Sequence, residues 1–169
     1  MLSNKQKVLL TGSRSLFTLD LARRLSEDGH SVFTAETSHF HVCRFSNATT
    51  CNFIVPSPRF HSKEFINTLV DVVKKNQISW VIPSFEEIFC LSKGIDEFPK
   101  GCTVFCSSYD ALNSLHNKWI FNQKIRSLGF DTPQSYLISS LDELKNNPFK
   151  VSYILKPVYS RASERIYKV

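Results

Sequence analysis

Over its first hundred residues the chain alternates short apolar runs with amphipathic stretches, and this alternation limits the fold more than any other feature. The runs "KVLLTG", "SVFTAE", "NFIVP", "SWVIPS" and "CTVFCS" each read as a buried strand. Between them lie helical patterns. One runs from about Ser15 to Gly29, with Leu16, Leu19, Ala22 and Leu25 at helical spacing and Gly29 closing it. A second, "SKEFINTLVDVVKKN", turns Phe65, Leu69, Val72 and Val73 inward, and "FEEIFCLSKGI" supplies a third. Short apolar strands separated by helices pair in parallel through right-handed crossovers. The expected fold is therefore α/β: a Rossmann-like three-layer sandwich around a mostly parallel sheet.

The rhythm changes after residue 107. "SSYDALNSLHNKWIFNQKIRSLGF" carries two helices in succession, with Gly129 as the C-terminal cap of the second. "DTPQSYLIS" then reads as a strand, "SLDELKNN" as a short helix and "VSYILKPV" as another strand. The chain divides into an α/β domain over 1–107, connecting helices over 108–131, and the first elements of an incomplete α+β unit over 132–169. With 169 residues and 42% hydrophobic content, the chain can build one full core and part of a second.

Several function classes are disfavoured. No segment is long and apolar enough to span a membrane, and the apolar run near the start is too short for a secretory leader. Five cysteines make an odd count without framework spacing, which fits free thiols in a reducing cytoplasm. The net charge is +6, but +4 of it falls between Lys150 and the end, where Lys150, Lys156, Arg161, Arg165 and Lys168 face Glu164 alone. No basic, aromatic-interleaved stripe exists elsewhere, which argues against a nucleic-acid partner. His39, His41, Cys43, Cys51 and His61 lack a standard zinc spacing, so no metal site is expected.

Ligands of open α/β sheets gather at the carboxyl ends of the strands. In "TGSRS", Gly12 permits a tight turn and Ser13, Arg14 and Ser15 face a helix start. This suits an anion or substrate, and it equally suits a Ser N-cap beside a solvated Arg. G-x-G-x-x-G would need glycines where Arg14 and Phe17 stand, which counts against a dinucleotide site. "PSFEE" places Glu86 and Glu87 after the fourth strand. Ser84 and Glu87 have capping-box spacing, whereas Glu86 has no such structural reason. Asn117 reads as an N-cap, putting Lys118 in a first helical turn, where a cation opposes the helix dipole unless an anion arrives. Lys156 ends an apolar strand beside a Ser-rich segment, as a phosphate ligand or as an edge lysine.

In their order along the chain these stretches resemble the N-terminal part of an ATP-grasp ligase of the carbamoyl-phosphate-synthetase-like group. "VLLTGSRS…LDLARRLSEDGHSV" is similar to the opening strand, loop and helix of the pre-ATP-grasp domain. "VPSPR" and "VIPSFEEIFCL" resemble its third and fourth strand regions. "LHNKWIF…IRSLGFDTPQSYLI" resembles the D-K-x-x-F…L-G-(small)-x-x-P passage, with Asn117 in place of the usual Asp. "YILKPVYSRASERI" resembles the K-P-x-x-S-x-G-S-x-G-(aliphatic) strand and phosphate-covering loop, with Ala162 and Glu164 where glycines are usual.

The resemblance implies Lys118 and Lys156 as ATP-phosphate ligands, with Ser160 and Ser163 in the covering loop. It also implies that Gly12, Ser13, Arg14, Ser15, Glu86 and Glu87 face a small carboxylate or its acceptor. The implied chemistry needs ATP and Mg²⁺: a carboxylate becomes an acyl phosphate, and an amine-type nucleophile then displaces the phosphate. The family's metal-binding carboxylates come from strands further along than Val169. The chain therefore reads as an N-terminal piece of a longer cytoplasmic ligase, inactive by itself, whose exposed flank could support a homodimer. The alternative is a non-catalytic α/β ligand-binding or regulatory module, with a dinucleotide-binding protein third.

Overall fold

The computed structural model describes residues 5–149, 151–161 and 163–169; residues 1–4, and with them the start of the leader reading, lie outside the described residues, as do Lys150 and Ala162. Two compact units divide the chain, Met1–Tyr109 and Asp110–Val169.

The first unit is a Rossmann-like α/β sandwich on a parallel five-stranded sheet. Its strands are β1 (Lys7–Thr11), β2 (Ser31–Glu36), β3 (Cys51–Ile54), β4 (Trp80–Ile82) and β5 (Thr103–Val104), in the spatial order β3-β2-β1-β4-β5. Register is tight: Val8, Leu9 and Leu10 lie opposite Val32, Phe33 and Thr34 on one side, and opposite Trp80, Val81 and Ile82 on the other. The pleat sends alternate residues to opposite faces, so two cores form. Leu9, Phe33, Ala35, Val81 and Val104 pack with helices α2 (Ser62–Asn76) and α3 (Glu87–Lys93), while Val8, Leu10 and Val32 pack with α1 (Leu16–Glu27).

α2 matches the expected pattern: Phe65, Leu69, Val72 and Val73 are buried, joined by Ile66 and Val70. In α1 the apolar face is rotated from the expected one. Leu16 is 73% exposed, and the inward positions are Thr18, Leu21, Ala22 and Leu25. A threonine can face inward here because its hydroxyl donates to the Gly12 carbonyl at 2.9 Å. Leucine periodicity gives no hint of such a bond.

The second unit holds α4 (Tyr109–His116, which begins at the last residue of the first unit), α5 (Lys118–Ser127), α6 (Leu141–Lys145) and an antiparallel pair, β6 (Ile154–Leu155) with β7 (Tyr167–Lys168). Gly129 follows α5 with φ +84°, and its N–H reaches the Arg126 carbonyl at 2.9 Å. The strand expected in "DTPQSYLIS" does not form, and residues 131–139 carry no regular structure. Tyr136 there packs edge-on against Phe149 instead, so the apolar content serves side-chain contact rather than pairing. Among the described residues no helix is long and apolar enough to cross a membrane.

Leu69 is fully buried at the centre of the larger core. Leu69→Ala should lower stability by about 3 kcal/mol through lost burial and the cavity left behind, read as a shifted urea midpoint. A cost below about 1 kcal/mol would mean that α2 does not pack on the sheet as described.

Candidate functional site

Chain order along the sheet reverses between β1 and β4, and the loops after those strands meet at this switch point. Gly12 has φ +70°, and a Cβ there would lie 2.8 Å from Phe85 Cδ2 and 3.0 Å from Glu87 Oε1. Both the backbone angle and the close approach require glycine. Glu87 is buried, and its Oε1 accepts from the Thr11 hydroxyl at 2.6 Å and from the N–H groups of Ser84 and Phe85 at 3.2 Å each. The Ser84 bond is the carboxylate half of the capping box implied by the spacing. Ser84's own hydroxyl is buried without a hydrogen-bond partner among the described residues. Glu86 stands exposed at the start of α3.

The neighbouring loop is held from the other side by Glu36, at the end of β2. This carboxylate is 3% exposed. It accepts the Arg14 N–H at 3.1 Å, the Arg14 guanidinium at 2.9 Å and the Thr37 N–H at 2.8 Å. Arg14 also lies over the Phe85 ring, 5.4 Å from its centre. Its side chain remains 49% exposed, so one flank of the guanidinium faces outward. Ser13 is buried and donates to the Ala35 carbonyl at 3.3 Å, and Ser15 caps α1 by accepting the Phe17 N–H at 3.1 Å. Of the "TGSRS" side chains, Arg14 alone thus combines a fixed position with an open face.

Sequence reasoning singled out neither Glu36 nor the role of His41. A signal for Glu36 existed: an acid ending an apolar strand, at the edge where ligands gather. His41 is 4% exposed, and neither ring nitrogen has a hydrogen-bond partner among the described residues. Burial drives its pKa below the ordinary 6.5, with Arg44 pulling the same way, against the Ser13 carbonyl and the Glu36 carboxylate. Cys43 is buried and its thiol is pushed up to about 11, mainly by burial, so it is not a thiolate at neutral pH. All five cysteines are unbridged, and among the described residues no group of three His, Cys, Asp or Glu side chains could hold a metal ion.

The second unit brings the phosphate candidates together. Asn117 caps α5, its Oδ1 accepting the N–H groups of Trp119 at 3.1 Å and Ile120 at 3.0 Å. Lys118 follows, and its ammonium donates to the carbonyl of Ser160 at 2.6 Å and reaches that of Val158 at 3.5 Å. Burial, and secondarily the charge of Lys156, lower the Lys118 pKa from its ordinary 10.5. Two cations on separate elements therefore approach each other, and neither forms an ion pair among the described residues.

In the loop beyond, two non-glycine residues take the left-handed region. Counted from Lys156, the ligase pattern that this stretch resembles puts its second glycine on Arg165 rather than on Glu164. Arg165 has φ +55° and Ser163 has φ +59°, the left-handed region that glycine favours. Ser163 is exposed.

No family model matches the chain. A stretch of 58 residues is 43% identical to the D-alanine–D-alanine ligase of Wolbachia pipientis wMel, 34% of this chain and 17% of that one. The L-amino acid ligase from Bacillus licheniformis is similar with a TM-score of 0.72 at 16% identity, covering 99% of this chain and 39% of that one. The biotin carboxylase domain of the Hydrogenobacter thermophilus 2-oxoglutarate carboxylase, in complex with MgADP, ADP and bicarbonate, is similar with a TM-score of 0.72 at 15% identity, covering 98% of this chain and 38% of that one. The chain thus has the fold of the N-terminal portion of ATP-grasp ligases and carboxylases. It spans about two-fifths of the length of these solved chains.

The His41 environment sets a pH dependence. The folded ring binds its proton less tightly than the unfolded one, whose pKa is near 6.5, so below that pH the unfolded state takes up more protons and stability falls. Urea melts should show stability declining from about pH 6.5 towards pH 5, and His41→Gln should remove that share of the slope. An unchanged slope in the variant would assign the acid sensitivity to other groups.

Proposed function

We propose that this chain is the N-terminal portion of an ATP-dependent ligase that activates a small carboxylate and joins it to an amine-type nucleophile. The observation that carries the reading is the convergence of Lys118 and Lys156, two neighbouring cations with no ion-pair partner among the described residues. Lys118 is partly desolvated and feels the charge of the exposed Lys156, and an anion between them offsets that repulsion. A triphosphate fits, since ammonium groups serve as compact point charges toward phosphate oxygens. The fold and its nucleotide-bound relative agree with the reading.

Lys118 and Lys156 would neutralise phosphate charge, with Ser160 and Ser163 in the segment covering it. In the first unit Arg14, aimed by Glu36 and Phe85, is the cation suited to a substrate carboxylate. Glu86 is the exposed acid suited to an amine, while Gly12, Ser13, Ser15 and Glu87 shape the loops behind them. The carboxylate attacks the γ-phosphorus, ADP leaves, and the amine then displaces phosphate from the acyl carbon. Such phosphoryl transfer asks the protein for positioning and charge neutralisation rather than covalent help. Mg²⁺ would screen the phosphates when bound.

Calorimetric titration of the chain with ATP and Mg²⁺ tests this. Binding should be detectable at millimolar nucleotide, and Lys156→Ala should weaken it at least tenfold, the scale of one charge-assisted phosphate contact. If the wild-type chain binds no nucleotide, the reading fails, and a non-catalytic binding module takes its place.

A further inference from the structure

Asn117 stands where the resembling ligases carry Asp, and the structure gives this amide a second task. Its Nδ2 donates to the Tyr159 hydroxyl at 2.9 Å while its Oδ1 caps α5. The Tyr159 hydroxyl in turn donates to Asn113 Oδ1 at 2.7 Å, and its ring lies 6.0 Å from that of His116. Tyr159 is therefore fastened to the end of α4 and the start of α5 at once. The carbonyls on either side of it, those of Val158 and Ser160, point at Lys118. Val158 accepts the Lys118 backbone N–H at 3.1 Å, and Ser160 accepts the ammonium at 2.6 Å.

We infer that Asn117, Tyr159 and Asn113 form a clasp that positions the phosphate lysine Lys118, making Asn117 and Tyr159 positioning residues for nucleotide binding. This rests on the nucleotide reading above. The logic is one of donor count. A phenol hydroxyl has one proton, and here it goes to Asn113. The group at position 117 must then donate to the phenol oxygen and still accept two helix N–H bonds, which an amide can do and a carboxylate cannot. Ser at 117 would keep a helix-capping oxygen but is too short to reach the phenol, and that arm of the clasp would open. With the clasp closed, the segment 158–160 holds its carbonyls against Lys118. An ammonium has three N–H donors, so a phosphate oxygen can still be met without releasing Ser160. The lysine is thus aimed before ligand arrives, and less ordering entropy is lost on binding.

The test uses the full chain with Tyr159→Phe, Asn117→Ser, which keeps a capping oxygen, and the double substitution. Amide hydrogen exchange without nucleotide should show the Lys118 amide, whose N–H is held by the Val158 carbonyl, exchanging about tenfold faster in each single variant. The five-stranded sheet should keep its protection. The double variant should exchange no faster than either single one, because both break the same clasp. In ATP·Mg²⁺ titrations each variant should bind about tenfold more weakly than wild type. Unchanged local exchange, or additive effects in the double variant, would overturn the clasp. Faster exchange with unchanged ATP affinity would overturn its positioning role. Loss of protection across the sheet would mean a general folding defect and would also count against a local clasp. A wild-type chain that binds no ATP refutes the nucleotide reading, while the exchange data still decide whether the clasp exists.

Discussion

The Glu87 carboxylate holds the switch point of the sheet together. A buried charge survives only where donors surround it. Oε1 finds them in the Thr11 hydroxyl and in the N–H groups of Ser84 and Phe85, so one residue from the start of α3 ties the end of β1 to the loop after β4. The tie works because Gly12 has no side chain to keep Phe85 and Glu87 away. Phe85, set in place by the same loop, presents its ring to Arg14, whose other side is taken by Glu36 at the end of β2. Three strand ends are thereby linked through two buried carboxylates, and Arg14 is the cation they leave facing outward.

The second unit reaches a comparable result with little core. Its sheet has two short strands, and many of its apolar side chains are exposed. Order around Lys118 comes from polar contacts instead: the Asn117 cap, the Tyr159 hydroxyl and two loop carbonyls. Such a network is directional and holds atoms at defined positions, but it depends on every donor finding its acceptor. The strained backbone at Ser163 and Arg165 lies just beyond it, where side chains occupy a conformation that glycine would adopt without cost.

Fold likeness at 16% identity does not carry chemistry with it. The weight of the functional reading rests on particular groups: Lys118, whose affinity for protons is lowered by burial and then by the charge of Lys156, and an arginine buttressed on both sides. The buried ring of His41 belongs to the same strand-end region.

The sequence alone determined the α/β class, the positions of β1 to β5 and the length of α2, because buried parallel strands show as short apolar runs and the helix shows its 3.6-residue period in the spacing of apolar side chains. It also marked Gly12, Asn117, Lys118 and Lys156 through local turn and capping chemistry. The rotation of α1 escaped it, since Thr18 is buried on account of a hydrogen bond to Gly12. The strand expected at 131–139 failed because pairing needs a partner that no local pattern reveals. Tertiary structure alone decided that Glu87 bridges two loops, that Glu36 holds Arg14, and that Tyr159 meets Asn117 from 42 residues away. Those are contacts between distant parts of the chain, and their geometry exists only once the strands have been laid in order.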